Sequence, residues 1–364
     1  MKYNGQTGSF DVPSLGVRGI LGIETSCDET AASVLSLDGK VLSSVVASQH
    51  DVHKRFGGIV PELASRRHTE RIEEIVLEAM NQSGMRWPDL AAIAATQGPG
   101  LAGALVVGVS FSKALAYSVG VPWIAVNHLQ AHIASAWLEH PRFKLPCVVL
   151  VVSGGHTHLY LVSAPGRYVL IGRTIDDAAG EAFDKGAKML GLDYPGGPAV
   201  DKLARSGDPA AVHFSRPYLK RGGLNFSFSG IKTALLYFLR DREKLGHDCS
   251  LEDIAAGYQE AIVEVLVEKT FRAVRQHKVA GVAVVGGVSA NSRLRTLCEK
   301  RATREGVELL LPRIGFCTDN AAMVALAGWW AFQSGRFSKW DVDASATLDC
   351  ATLSAGGASI IPSG

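Results

Sequence analysis

The chain has 364 residues, 47% hydrophobic and 20% charged, a balance that excludes a disordered chain and suits a globular protein of two or three lobes. Its formal charge of +2 excludes a broad basic coat, so any nucleic-acid contact must come from local patches. The cysteines (Cys27, Cys147, Cys249, Cys298, Cys317, Cys350) are scattered without a C-x-x-C pair, which argues against a zinc ribbon or disulfide framework and fits a reducing, cytoplasmic setting.

Residues 1–17 read as a short extension lacking the apolar core of a signal peptide. No apolar run approaches the ~20 residues of a membrane span, so no membrane contact is expected. The stretch "GILGIETSCDETAASVLSL" (19–37) reads as strand, polar turn and strand, with Asp28 and Glu29 at the turn. "SRRHTER" (65–71) reads as a solvated basic helix face. "DLAAIAATQGPGLAGALVVGVSFSKALAYSV" predicts a buried strand, a glycine turn and a helix. Its "GPGLAG" matches the dinucleotide fingerprint G-x-G-x-x-G, but the acid expected about 20 residues on is missing, which rules out a nicotinamide site.

In "VNHLQAHIASAW", His128 and His132 stand four residues apart on one face of a predicted helix. Two imidazoles so placed can converge on one cation. The zinc-protease motif with this spacing needs a Glu after its first His, and here that residue is Leu129. On spacing alone, two ordinary histidines are the commoner reading.

"CVVLVVSGGHTHLYLVSA" repeats the strand–turn–strand pattern. Next, "AAGEAFDKGAKML" predicts a helix and "GLDYPGGPAVD" a glycine-rich loop entering another, bringing Asp184, Gly197 and Asp201. By spacing alone Asp184 should pair with Lys188 on its own helix. "KRGGLNFSFSGIKTALLYFLR" carries Lys220 and Arg221, a second local basic patch. "VAGVAVVGGVSANSRLRTLCEKRA" is again strand, glycine turn and helix, with Asn291 at the helix start. Hairpin first and strand–glycine–helix later thus occur twice in the same order, the mark of a duplicated α/β unit. Ligands of such sheets sit beyond the carboxyl ends of the strands, against helix N-termini.

Taken together, "GIETSCDET", "NHLQAHI", "VSGGHT", "GEAFDKGAKMLGLDYPGGP", "GGVSANSRLR" and "FCTDNAAM" resemble the bacterial tRNA N6-adenosine threonylcarbamoyltransferase family, over roughly residues 18–345. The resemblance implies an α/β, actin-like (ASKHA) duplicated two-lobe fold with a nucleotide substrate in the interlobe cleft. The lobes would span 18–146 and 147–345, with a helical, glycine-rich insertion near 174–250, the last helix returning to the first lobe, and a tail at 346–364. It further implies transfer of a threonylcarbamoyl group from threonylcarbamoyl-AMP to N6 of adenosine 37 in tRNAs reading ANN codons, with release of AMP.

Carried over by position, His128, His132 and Asp319 would be ligands of one divalent metal, Fe(II) foremost and Zn(II) as the alternative. Val151, Val152, Ser153, Gly154 and Gly155 would contact substrate. Asp184 and Gly197 would hold the nucleotide with Asp201 nearby, and Asn291 would reach it from the helix start. Asp28 and Glu29 would be the catalytic acids. Implied partners are tRNA, a smaller paralogous actin-like subunit (TsaB) and a small ATPase (TsaE). His158 stands where relatives commonly carry Gln, and with His156 it reads as a satisfied surface histidine on one strand face. The competing functions are a metallopeptidase, which lacks its base here, and an actin-like ATP-binding scaffold, which would not need the metal set.

Overall fold

The computed structural model describes residues 3–4, 9–10, 18–216, 222–245 and 249–350. The extension apart from two short stretches, Lys220, Arg221 and all but the first few residues of the tail lie outside the described residues. Two five-stranded sheets form the framework. In the first, β1 (Gly19–Glu24), β2 (Glu29–Ser36), β3 (Val41–Ser48), β4 (Leu90–Gly98) and β5 (Trp123–Asn127) lie in the order β3-β2-β1-β4-β5. In the second, β6 (Cys147–Val152), β7 (Thr157–Ala164), β8 (Arg167–Arg173), β9 (Gly281–Val285) and β10 (Glu308–Leu310) lie in the order β8-β7-β6-β9-β10. Both sheets pair their first three strands antiparallel and add the last two in parallel. The repeat legible in the sequence is therefore a repeat of topology.

Apolar alternation seats each sheet between helices. In β6, Val148, Leu150 and Val152 enter the core formed with the helices of residues 179–305, while Cys147, Val149 and Val151 point the other way. Successive strand residues face opposite sides, and burial on both sides makes the run continuously apolar. In the first sheet, Leu21 and Ile23 pack under α1 (Pro61–Ser83) and α2 (Ala102–Val119). The α2 helix corrects one expectation, because its 18 residues are long and apolar enough by composition to cross a membrane. Here it lies against β4, β5 and α1.

Helix α3 (His128–Ser135) follows β5 directly, and Asn127 starts it by accepting from the Leu129 and Gln130 N–H groups at 2.9 and 3.2 Å. Such a cap satisfies donors that the first turn leaves open. The second lobe adds α4 (Ala179–Met189), α5 (Gly196–Ala204), α6 (Ser229–Leu245), α7 (Leu251–His277) and α8 (Ser292–Glu305). The last helix, α9 (Ala321–Gln333), crosses back to lie on β1, β2 and β4 and against α3. Gly22 permits this approach, since a Cβ there would stand 2.4 Å from the Ala321 carbonyl oxygen. That packing places Asp319, two residues before α9, beside the histidines of α3.

Candidate functional site

The carboxyl ends of β1, β4, β5, β6 and β9 open on one cavity of about 590 Å³. Its walls come from both sheets. The first contributes Ser26, Cys27, Asp28, Glu29 and His128, and the second contributes the Ser153–His156 turn, Gly287, Val288 and Asn291. Its position agrees with the rule that α/β sheets bind ligands beyond strand ends. Gly100 of the "GPG" turn explains the fingerprint-like glycines: a Cβ there would sit 2.5 Å from the Ser26 carbonyl oxygen. This glycine seats the turn against the first hairpin.

His128, His132 and Asp319 do meet. Asp319 Oδ1 lies 3.0 Å from His132 Nε2 and 3.6 Å from His128 Nε2, and the imidazole centroids are 4.6 Å apart. Burial opposes charge on His128, but the Asp319 and Glu24 carboxylates outweigh it and raise its pKa to about 9. Burial likewise opposes charge on Asp319, and the His128 and His132 rings still hold it at about 2. The pocket thus favours positive charge. His132 is fully buried and neither ring nitrogen makes a hydrogen bond. An orphaned pair of buried nitrogens facing a carboxylate is the donor set a divalent cation would complete, so these residues fit a metal.

A second group combines the buried Asp28 and Glu29 with half-exposed His50, whose Nδ1 is 4.0 Å from each carboxylate. Burial first, and Asp28 next, raise the Glu29 carboxyl well above the usual range. His50 stacks on Tyr194 of the other lobe with centroids 6.3 Å apart, and Lys54 pairs with Asp193 at 2.9 Å beside it. These two contacts join the lobes at the cavity mouth.

The expected substrate residues divide. Ser153, Gly154, Gly155, Asp184, Gly197, Asp201 and Asn291 all line the cavity. Val151 and Val152 do not: they are fully buried inside β6, with side chains in the two cores. Their part is to end the strand where the turn begins. Among the described residues the Gly154 and Gly155 N–H groups have no acceptor, so this turn offers donors to a ligand.

Asp184 does not pair with Lys188; its Oδ1 accepts from Gly196 N–H at 2.8 Å and so caps α5. Burial raises its pKa despite that bond and one from Gly197. Asp201 accepts from the Ser292 N–H and hydroxyl at 3.1 and 2.7 Å, fixing α5 to the start of α8. Asn291 is also committed: its carbonyl caps α8 at Leu294 N–H, and its amide donates to Gln259 at 2.6 Å. The side chain expected to reach a nucleotide is thus holding the helix start.

His156 lines the cavity, where burial, then His128 and His158, lower its pKa to about 3. His158 turns to the Tyr160 hydroxyl at 3.1 Å instead. Sequence reasoning missed His50, Tyr194 and Glu24. Glu24 alone left a trace, an acid closing the apolar strand "GILGIE".

The model of the tRNA N6-adenosine threonylcarbamoyltransferase family matches residues 40–326. The chain is 49% identical over 326 residues to the tRNA N6-adenosine threonylcarbamoyltransferase of Geotalea uraniireducens, covering 89% of this chain and 94% of that one. It is 46% identical to the enzyme of that name from Thermosipho africanus, over 90% and 99% of the two chains. Among solved structures, T. kodakarensis HypF superposes with a TM-score of 0.61 at 15% identity, over 87% of this chain and 48% of that one. Component A of Acidaminococcus fermentans (R)-2-hydroxyglutaryl-CoA dehydratase gives 0.53 at 16%, over 86% and 99%. These last two likenesses are of fold alone, a two-lobed α/β fold. By sequence over nearly its whole matched length, the chain belongs to the tRNA N6-adenosine threonylcarbamoyltransferase family.

Proposed function

We propose that the protein transfers the threonylcarbamoyl group from threonylcarbamoyl-AMP to N6 of adenosine 37 in tRNAs reading ANN codons. The observation that carries this reading is the juxtaposition, in one cavity, of a buried His2Asp donor set, a pair of buried carboxylates and an open glycine turn. The actin-like cleft between lobes 18–146 and 147–345, with the 174–250 insertion, is the nucleotide site. Asp184 and Asp201 cap the two helix starts nearby, so those N–H groups are already satisfied. The carboxylates, which only accept, suit ribose hydroxyls. The Gly154–Gly155 turn, with its free N–H groups, suits the phosphate, which needs donors.

In the transfer, the N6 amine bonds to the carbamoyl carbon, the carbon–oxygen bond to the phosphate breaks, and AMP carries away the electron pair. The amine must lose a proton. Asp28, which lines the cavity in the acidic turn, is the group placed to accept it. His128, His132 and Asp319 hold one divalent cation; the donor set suits Fe(II) first and Zn(II) second. When bound, that cation supplies Lewis acidity toward the substrate's oxygens. tRNA, the smaller paralogous actin-like subunit and the small ATPase are the partners, and the cytoplasm, where tRNA resides, is the place of action. The free state of all the cysteines supports that placement.

A peptidase reading is disfavoured because Leu129, buried beside His128, cannot serve as base. The test is a transfer assay with synthetic threonylcarbamoyl-AMP and tRNA lacking the modification. Formation of modified tRNA with stoichiometric AMP supports the reading. Peptide cleavage, or nucleotide binding without transfer, overturns it.

A further inference from the structure

Glu24 closes β1 as a fully buried acid. One carboxylate oxygen accepts from the Ser26 N–H at 2.5 Å. The other accepts from the Thr96 hydroxyl at 2.6 Å and lies 3.2 Å from His128 Nδ1. Among the described residues, no lysine or arginine pairs with it, and its ion-pair partner is His128. A buried carboxylate is costly unless its oxygens are satisfied, and here every partner is a donor. A carboxylate cannot donate, so the His128 nitrogen facing it, Nδ1, carries a proton, with the Ser26 hydroxyl 3.2 Å from the same nitrogen, and Nε2 is the nitrogen turned to Asp319 at 3.6 Å. His132 has no such partner, since its Nδ1 is unbonded. The network therefore selects one of the two histidines.

We infer that Glu24 is the positioning residue of the metal centre: it fixes the ring orientation and tautomer of His128 and ties that ligand to the turn bearing Asp28 and Glu29. Two connections make this more than packing. The bond to Ser26 N–H anchors the start of the acidic turn, and the bond to Thr96 anchors the same carboxylate to the neighbouring strand β4. Outer partners of this kind set ligand basicity and orientation in metal sites. Glu24 thus couples the cation's place to the place of the proton-accepting carboxylate. The inference rests on the His128–His132–Asp319 reading.

The test uses the full chain loaded with Zn(II), its affinity measured by competition with a chromophoric chelator, and the Co(II)-substituted protein, whose visible bands report ligand geometry. In Glu24→Gln an amide N–H must face either the Ser26 N–H or the His128 Nδ1–H. The expected result is Zn(II) affinity weaker by about 10–100-fold and displaced Co(II) bands in a folded protein. Thr96→Val removes one donor to the same oxygen, and a smaller loss in the same direction is expected. It serves as the deciding variant if Glu24→Gln does not fold. Affinity within about two-fold of the unaltered chain, with unchanged Co(II) bands, overturns the inference. His132→Ala separates the two failures. Metal retained in that variant overturns the metal reading itself, whereas metal lost there but kept in Glu24→Gln overturns only the role of Glu24.

Discussion

Asp319 Oδ1 lies 3.0 Å from His132 Nε2, yet His132 makes no hydrogen bond through either nitrogen. The two groups are close enough to form an ion pair and to share a cation. His132→Ala should therefore cut bound metal at least about ten-fold and abolish transfer while leaving the fold intact, because within the chain the variant removes only the ion pair to Asp319. Metal analysis of the purified protein beside its circular dichroism spectrum checks this. Full metal content in a folded His132→Ala protein would remove it from the site.

Asp28 and Glu29 place two acids side by side in a buried turn, and their repulsion contributes to the raised Glu29 pKa. Asp28→Asn should lower turnover steeply and leave adenylate affinity nearly unchanged, since the side chain acts on the amine. Rate and adenylate affinity measured together separate this from a binding role, which would lower rate and affinity equally.

His156 carries a pH signature. Its pKa of about 3 in the folded chain lies below the ordinary 6.5. The unfolded chain therefore binds more protons between those values, and stability falls as pH drops from about 6.5 toward 3. A cation on the neighbouring ligands would act in the same direction. His156→Gln should flatten this limb. Chemical denaturation of both proteins across that range provides the check, and parallel curves would refute it.

Gly22→Ala should destabilise by about 1–3 kcal/mol, because the added methyl would stand 2.4 Å from the Ala321 carbonyl oxygen and 2.6 Å from the Ala325 nitrogen. Relief requires α9 to move, which displaces Asp319 as well. Metal affinity should therefore fall with stability, as denaturation and chelator competition would show. A stability loss with unchanged affinity would mean that α9 tolerates the shift.

tRNA binding by the isolated chain should depend only weakly on salt. Arg67 and Arg71 of the first basic cluster already pair with Glu70 and Glu74 at 2.8 and 3.0 Å, while Arg66 has no ion pair among the described residues. Each phosphate contact contributes about one unit of log–log slope at most, so a slope of about six or more for the chain alone would refute this. Adding the proposed partner subunits should steepen it.

The strands, the capped helices and their repeated order were legible in the sequence because they depend on near neighbours: the continuous apolar run "CVVLVV", the glycine turns, and the i, i+4 spacing of His128 and His132. Asp28 and Glu29 were legible as an acidic turn for the same reason. What covers each sheet was not legible from the residues by themselves, and the return of the last helix came only through the family resemblance, because the crossing of α9 onto β1 depends on Gly22, roughly three hundred residues earlier in the chain. Side-chain commitments were equally hidden. Asp184 could bond Lys188 or Gly196, and Asn291 could face a ligand or cap its helix; only tertiary packing, which fixes the competing donors, decided for the backbone N–H groups. Glu24 shows the limit most plainly. Its sequence neighbours mark it as a strand end, while its chemistry comes from Thr96 and His128, brought to one of its oxygens by β4 and by the start of α3.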